Sequence, residues 1–367
     1  MKKCKCWIAL LLCLAMIFPQ LVTSAVAVSE FAESIGTTEI NLWGYKYKST
    51  EVNVRTILDI SGNSFALYEV GNEAYFIYDP VSESFLEGSP SAPSPYLNVE
   101  GELRYLGPQK YYVVSDNILD HTILDESYNI SASMASKLQA ELDVALNEIQ
   151  TVRSVARATA ERNAEQRSTG LENMVREVYE NEEYVNYYVR NYWNIVNATY
   201  PANTEGTCGY VSACLLLYYW HKRIGGMIPS SYLLSSGYLN PSGTTTSNNL
   251  QMKLMSYSDY TGTWAAVIQG VLYAYCEEFN ISANAYAYLS TGSYYSELAS
   301  NRPVIMFGSL SDPRGSGRIN HAVLAYGFHS DLEETYYSVI THYGWAGYNH
   351  VILNTSLIGS VTQFVPY

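Results

Sequence analysis

Two residue types in this sequence can make and use a nucleophile, and both are scarce. The 367 residues hold 6 His and 6 Cys. Cys208 opens the stretch Cys208-Gly209-Tyr210-Val211-Ser212-Ala213-Cys214-Leu215-Leu216-Leu217-Tyr218-Tyr219-Trp220-His221. A turn-prone Glu205-Gly206-Thr207 leads into it, and nothing after Gly209 interrupts a helix before Gly225-Gly226. Cys208 is therefore expected at the first turn of a buried helix. Backbone N–H groups and the dipole favour an anion there. A thiol so placed ionises more readily, and the thiolate is the attacking form. Taken alone, Cys208 reads equally well as a small buried residue. Cys214, inside the apolar run, reads as core.

Such a sulfur needs a base, and the C-terminal part offers one. Arg302-Pro303-Val304-Ile305-Met306-Phe307-Gly308 reads as a strand. A Gly/Ser-rich loop follows, then Asn320-His321-Ala322-Val323-Leu324-Ala325-Tyr326-Gly327-Phe328. After a polar turn comes Thr335 to His342, then Tyr343-Gly344-Trp345-Ala346-Gly347. If the turn is symmetric about Asp331 and Leu332, antiparallel pairing sets His321 opposite His342. Opposed side chains share a face at roughly 5 Å between Cβ atoms, and a one-residue slip would part them. In that register Cys208 would give its proton to His321, and His342 would accept from the other ring nitrogen. The backbone N–H of Cys208 and the side chain of Asn203 are the candidate donors to a developing oxyanion. His321 could instead be a hydrogen-bonded core histidine, and Trp345 ordinary core. The spacing of Cys208, His321 and His342 matches no zinc motif, so no metal and no cofactor is expected. His221 closes the helix, where a cation suits the dipole. His329 is expected in the turn and His350 near a strand end, both at the surface.

The three pieces, in this order, resemble a papain-like cysteine peptidase, closest to the secreted bacterial streptopain-like and bacteriocin-processing-like families. The resemblance spans roughly the last 165 residues. It implies an α+β fold with a two-lobed catalytic domain. A helical lobe starts at the Cys helix, an antiparallel β lobe completes the cleft, and a β-rich propeptide and a long helix precede both. It also implies that Trp345 shields the imidazole. Two positions depart from the family pattern. His342 stands where Asn or Asp is usual, and Ala202, with Asn203 beside it, stands where a Gln would donate to the oxyanion.

Composition narrows the setting. Net charge is −14, with Tyr unusually common at 35 residues. From Pro201 onward there are 9 acids and 6 bases, so the negative charge lies in the front part. That argues against a nucleic-acid partner. Residues 1–27 read as a secretory signal: Lys2, Lys3 and Lys5, an apolar run from Trp7 to Phe18, then Ala25-Val26-Ala27. The run is too short for a spanning helix, so no stable membrane anchor is expected and the location is extracellular. Cys4, Cys6 and Cys13 would leave with the signal. The odd remainder, Cys208, Cys214 and Cys276, points to a free thiol, with a Cys214–Cys276 disulfide as an option.

The division that follows is 1–27 signal, 28–125 β-rich propeptide-like domain, 126–186 helical connector and 187–367 peptidase domain. In the front part, 65–70 and 74–79 form a hairpin signal and 104–106 and 111–115 are further strands. Residues 131–168 carry a helical stripe, and a second, Tyr-rich helix is expected over 171–193. Helices at 249–257 and 263–278, a strand at 281–289 and a short helix at 294–300 lead to the His321 strands. The expected protein is a secreted cysteine endopeptidase, acting on protein or peptide substrates and made as a zymogen with its own propeptide bound in cis. Two rivals stay open. One is a cell-wall peptidoglycan amidase with a Cys-His-His triad; the other is an inactive extracellular binding protein of the same fold.

Overall fold

The computed structural model describes residues 39–116, 118–122, 129–168, 184–203, 206–259, 264–288, 294–308, 321–331 and 337–367. The expected signal at 1–27 lies outside them. The chain divides into two units, 1–53 and 54–367. In the first, β1 (Glu39–Leu42) and β2 (Tyr45–Lys48) form an antiparallel hairpin. Its two-residue loop, Trp43-Gly44, has positive φ at both positions, the geometry that matches strand twist.

β3 (Val52–Leu58) leads into the second unit. There follow β4 (Ser64–Val70), β5 (Ala74–Asp79), β6 (Ser84–Ser89), β7 (Glu102–Tyr105), β8 (Tyr111–Ser115), β9 (Ile118–His121) and β10 (Asn129–Ile130). Next come the long helix α1 (Ala132–Ser168), β11 (Tyr184–Tyr188), α2 (Trp193–Val196), α3 (Cys208–Ile224), α4 (Leu250–Met255) and α5 (Ala265–Glu278). The chain closes with β12 (Ala283–Tyr288), α6 (Tyr294–Ala299), β13 (Val304–Gly308), β14 (Ala322–Asp331), β15 (Tyr337–His342), β16 (Val351–Asn354) and β17 (Ile358–Pro366).

One large sheet runs β10-β9-β8-β7-β3-β4-β5-β6-β16-β15-β14-β13-β17-β12, with β11 on β14. The front strands and the back strands meet where β6 pairs with β16, Gly88 opposite Ile352 and Glu87 opposite Leu353. The boundary expected between a propeptide-like domain and a peptidase domain is thus crossed by a continuous sheet. Gly88 is needed at this seam: a Cβ there would lie 2.4 Å from Phe76 Cδ1 and 2.9 Å from the Tyr75 carbonyl.

Helix α3 is buried at every residue from Cys208 to Trp220 and packs on β13 and β14. With apolar and aromatic residues on every side and no charged residue before Lys222, the helix has no solvated face and sits inside. It stops at Gly225, whose φ of 76° suits glycine and whose N–H bonds the His221 carbonyl. His221 is not the cation expected there. Its Nδ1 accepts from the Ile228 N–H at 3.1 Å, and burial pulls its pKa down.

The helix expected over 171–193 is not found in its described part. Residues 184–188 form β11, and 193–196 make a single turn; 171–183 lie outside the described residues. Tyr184, Val185, Tyr187 and Tyr188 favour extended backbone. β13 pairs with β14 only as far as Ala325, and β11 takes up the edge beyond, from Gly327 to Asp331. β14 is correspondingly longer than expected. His329 therefore lies inside that strand, buried, with Nδ1 2.6 Å from Asn186 Oδ1, and not in a surface turn. His350 is half-buried, its carbonyl accepting from Ser89 Oγ at 2.6 Å. Cys208, Cys214 and Cys276 are all free thiols. No helix among the described residues is long and apolar enough to cross a membrane.

Candidate active site

Cys208 is the first residue of α3, with Thr207 as the N-cap. Its sulfur accepts a hydrogen bond from the backbone N–H of Ala322 at 3.1 Å. An N–H aimed at sulfur interacts better with a thiolate than with a thiol. The donor is the first residue of β14, directly after His321. The fold therefore brings the helix-start cysteine against the histidine strand, across 114 residues of chain. Cys208 is 4% exposed and His321 9%. The His321 carbonyl is fixed by the Gly308 N–H at 3.1 Å, so the end of β13 sets where this residue sits. The Trp345 and His321 rings meet in a T-shaped contact, centroids 6.5 Å apart and planes at 77°. Trp345 also packs edge-on against Tyr343 and Tyr348, and such edge contacts hold an aromatic group in one orientation.

The expected pairing of His321 with His342 is not formed. His342 lies opposite Leu324, and Ala325 opposite Thr341. The register then shifts, with Gly327 opposite Ile340, so Tyr326 is an extra residue. A bulge of this kind bends the strand and turns one side chain aside. Tyr326 is turned into the interior, its hydroxyl on the Asn349 carbonyl at 2.7 Å. The symmetric-turn assumption fails because the strands are slipped and bulged.

His342 is 1% exposed and its ring stands edge-on to Tyr200 at 5.0 Å. Its Nδ1 accepts from the Gly344 N–H at 2.9 Å. Burial holds its pKa down to about 3, since a charged imidazole would lose its hydration. His342 is thus neutral, and with Nδ1 occupied as acceptor its proton resides on Nε2. Its Nδ1 is thus engaged with the backbone of the loop that follows.

Asn203 sits between the helix start and the loop after His342. Its Oδ1 accepts from Thr207 Oγ1 at 3.5 Å. Its Nδ2 would be 3.4 Å from a Cβ at Gly344, and Val211 Cγ1 3.0 Å from it. Gly344 has φ of 74°, so both backbone and space demand glycine. The neighbouring Ala202 carbonyl accepts from Gln251 Nε2 at 3.2 Å. Among the described residues, no group of three His, Cys, Asp or Glu could hold a metal ion.

Several residues at this site carry no signal in the sequence. The Ala322 N–H acts through backbone alone. Gln109, in the turn between β7 and β8, donates Nε2–H to the Tyr343 carbonyl at 3.3 Å. Ser89 and Pro93 hold the same loop through the His350 carbonyl and the Tyr348 hydroxyl.

No family model matches this chain, and no curated protein matches it. Among solved structures it is similar to a chain described as a C39-like peptidase from Bacillus anthracis, at 13% identity and a TM-score of 0.28. That likeness covers 49% of this chain and 97% of the other. It is also similar to a fragment of prointerpain A from Prevotella intermedia, at 12% identity and a TM-score of 0.35, covering 84% and 98%. Likeness at this level carries no weight for what the chain does, and the chemistry must be read from its own residues.

Proposed function

We propose that this chain is a secreted papain-like cysteine endopeptidase made as a zymogen. Cys208 is the nucleophile, His321 the base, and His342 with Trp345 the support of the base. The reading rests chiefly on the hydrogen bond from the Ala322 N–H to Cys208 Sγ at 3.1 Å. It sets the residue after His321 on the sulfur at a helix start, where an anion is favoured.

The steps follow from those positions. His321 takes the thiol proton, and the thiolate attacks the substrate carbonyl carbon. The carbonyl electron pair moves onto oxygen, facing the N–H groups at the start of α3, with Asn203 as the candidate side-chain donor. Collapse breaks the C–N bond, and the leaving amine takes the proton from His321. A water then gives its proton to His321, attacks the thioester and frees the acid and the thiol. His342 supports this as a neutral group whose acceptor is spent on Gly344; it fixes the loop that carries Trp345 onto the His321 ring. The front part, residues 28–125, is the propeptide in cis. Its grip on the 343–350 loop supports that role.

The test is incubation of the purified full chain with a reductant, wild type beside Cys208→Ala. Wild type shortens, with a cut between about 165 and 195 in this numbering, and then hydrolyses casein. Cys208→Ala does neither. Hydrolysis of peptidoglycan but not casein would make it an amidase. No labelling of Cys208 by an iodoacetamide probe would leave a binding protein.

A further inference from the structure

A carboxyl lies buried in the seam between the front strands and the candidate catalytic loop. Glu87, on β6, is 0% exposed and sits opposite Leu353 of β16. Its Oε1 accepts from the Tyr75 hydroxyl at 2.7 Å and from the Tyr111 hydroxyl, and its Oε2 from the Tyr105 hydroxyl at 3.1 Å. Those three phenols come from β5, β8 and β7. The cage is completed from the far side of the seam by Tyr343, fully buried, which follows His342 directly. The Tyr343 hydroxyl has no hydrogen-bond partner within 3.5 Å, yet it is near enough to Glu87 to favour the carboxylate, and burial first, then that charge, drives its own pKa up.

We propose that Glu87 is a proton-controlled catch, a positioning residue through which the front part holds the 343–350 loop in the docked state. The inference rests on the zymogen reading above. The phenol hydroxyls that donate to Glu87 favour its ionised form; complete burial with no cation paired to it acts the other way, and more strongly. The groups around it are Tyr75, Tyr105, Tyr111 and Tyr96 from the front part, and Tyr343 and Tyr348 from the loop. Arg55 acts on Tyr96 and is paired with Glu69 at 3.6 Å. Lys110, next to Tyr111, is paired with Glu141 at 3.6 Å. Burial, the largest influence, lifts the Glu87 pKa from 4.5 to about 7. The docked state therefore holds its proton over a window where the wetted state has lost it. Docking is firm in acid and loosens as pH rises through 7. His342 pulls the other way: wetted, it gains a proton below about 6.5, which favours opening in acid.

The test uses the full-length Cys208→Ala chain, which cannot process itself, so its result is independent of peptidase activity. Hydrogen exchange of residues 343–350, corrected for intrinsic rates, gives the fraction open at pH 5.5 and 8.5, with α3 as reference. The ratio of the two fractions isolates Glu87 when compared with the Cys208→Ala, Glu87→Gln chain, because His342 is common to both. A pKa moving between 4.5 and about 7 makes that ratio up to about 30-fold larger with Glu87 than with Gln. Ratios within about 3-fold of each other overturn the proposal. If Glu87→Gln does not fold, Tyr343→Phe takes its place. Loss of the hydroxyl facing the carboxylate raises the pKa further, so the ratio grows; an unchanged or smaller ratio overturns the proposal.

Discussion

Gly344 donates its backbone N–H to His342 Nδ1 at 2.9 Å, across one intervening residue. An Asn side chain makes the same two-residue contact through its amide oxygen. His342→Asn should therefore keep the loop and retain activity within about 10-fold, since one hydrogen bond of about 1 kcal/mol is replaced in kind. His342→Leu fills the space but leaves the Gly344 N–H without its partner, and should cost at least about 10-fold more. Peptide hydrolysis by the two variants, with melting curves as the control for folding, decides this.

Stability against pH separates two buried groups. His342 has its folded pKa depressed to about 3. Its contribution is full above the unfolded value near 6.5 and is lost as pH falls toward 3. Glu87 has its folded pKa raised to about 7. Its contribution is full below about 4.5 and is lost as pH rises through 7. Between about 4.5 and 6.5 the slopes oppose each other, each at most about 1.4 kcal/mol per pH unit. Glu87→Gln should unmask a loss of stability toward acid that the parent chain hides. Denaturant unfolding of both chains at pH 4.5, 5.5 and 6.5 gives the slopes, and parallel curves would refute the assignment.

Gly344→Ala places a methyl 3.0 Å from Val211 Cγ1 at a φ of 74°. Both the contact and the backbone are strained, at about 1–3 kcal/mol together. Because Val211 lies one turn into α3, the push reaches the helix start. The expected result is a lower melting temperature and a fall in kcat beyond what the unfolded fraction explains.

Asn203→Ala tests the second oxyanion donor. If the amide points at the developing charge during turnover, kcat should fall by ~10²–10³ with little change in KM. A drop below about 5-fold would leave Asn203 as a spacer between Thr207 and Gly344.

What the sequence disclosed was local. The Cys208 helix is legible because its apolar run, its glycine stop and its length all lie within one segment. The strand of His321 and the Gly344-Trp345 turn are legible for the same reason. The hairpin of β4 and β5 is found where alternation and Gly71-Asn72 mark it. The register of His342 is not legible, because it depends on the bulge at Tyr326, which pairing with β11 and packing of that ring decide. β11 itself is misread as helix, since its extended form depends on an edge supplied by a strand more than 100 residues later. Glu87 is hidden for a further reason. Its phenols come from three other strands and from a loop beyond β15, so no spacing in the chain reveals the cage.

The join between β6 and β16 has a bearing on what a cut could accomplish. Severing the chain between the long helix and the second histidine strand leaves both pieces threaded into one ladder of backbone bonds. Hydrolysis of the connecting peptide is then a licence and not a release. On the zymogen reading proposed above, the nicked molecule should stay whole in a sizing column, part into two bands only under denaturant, and open its cleft by the peeling of a strand.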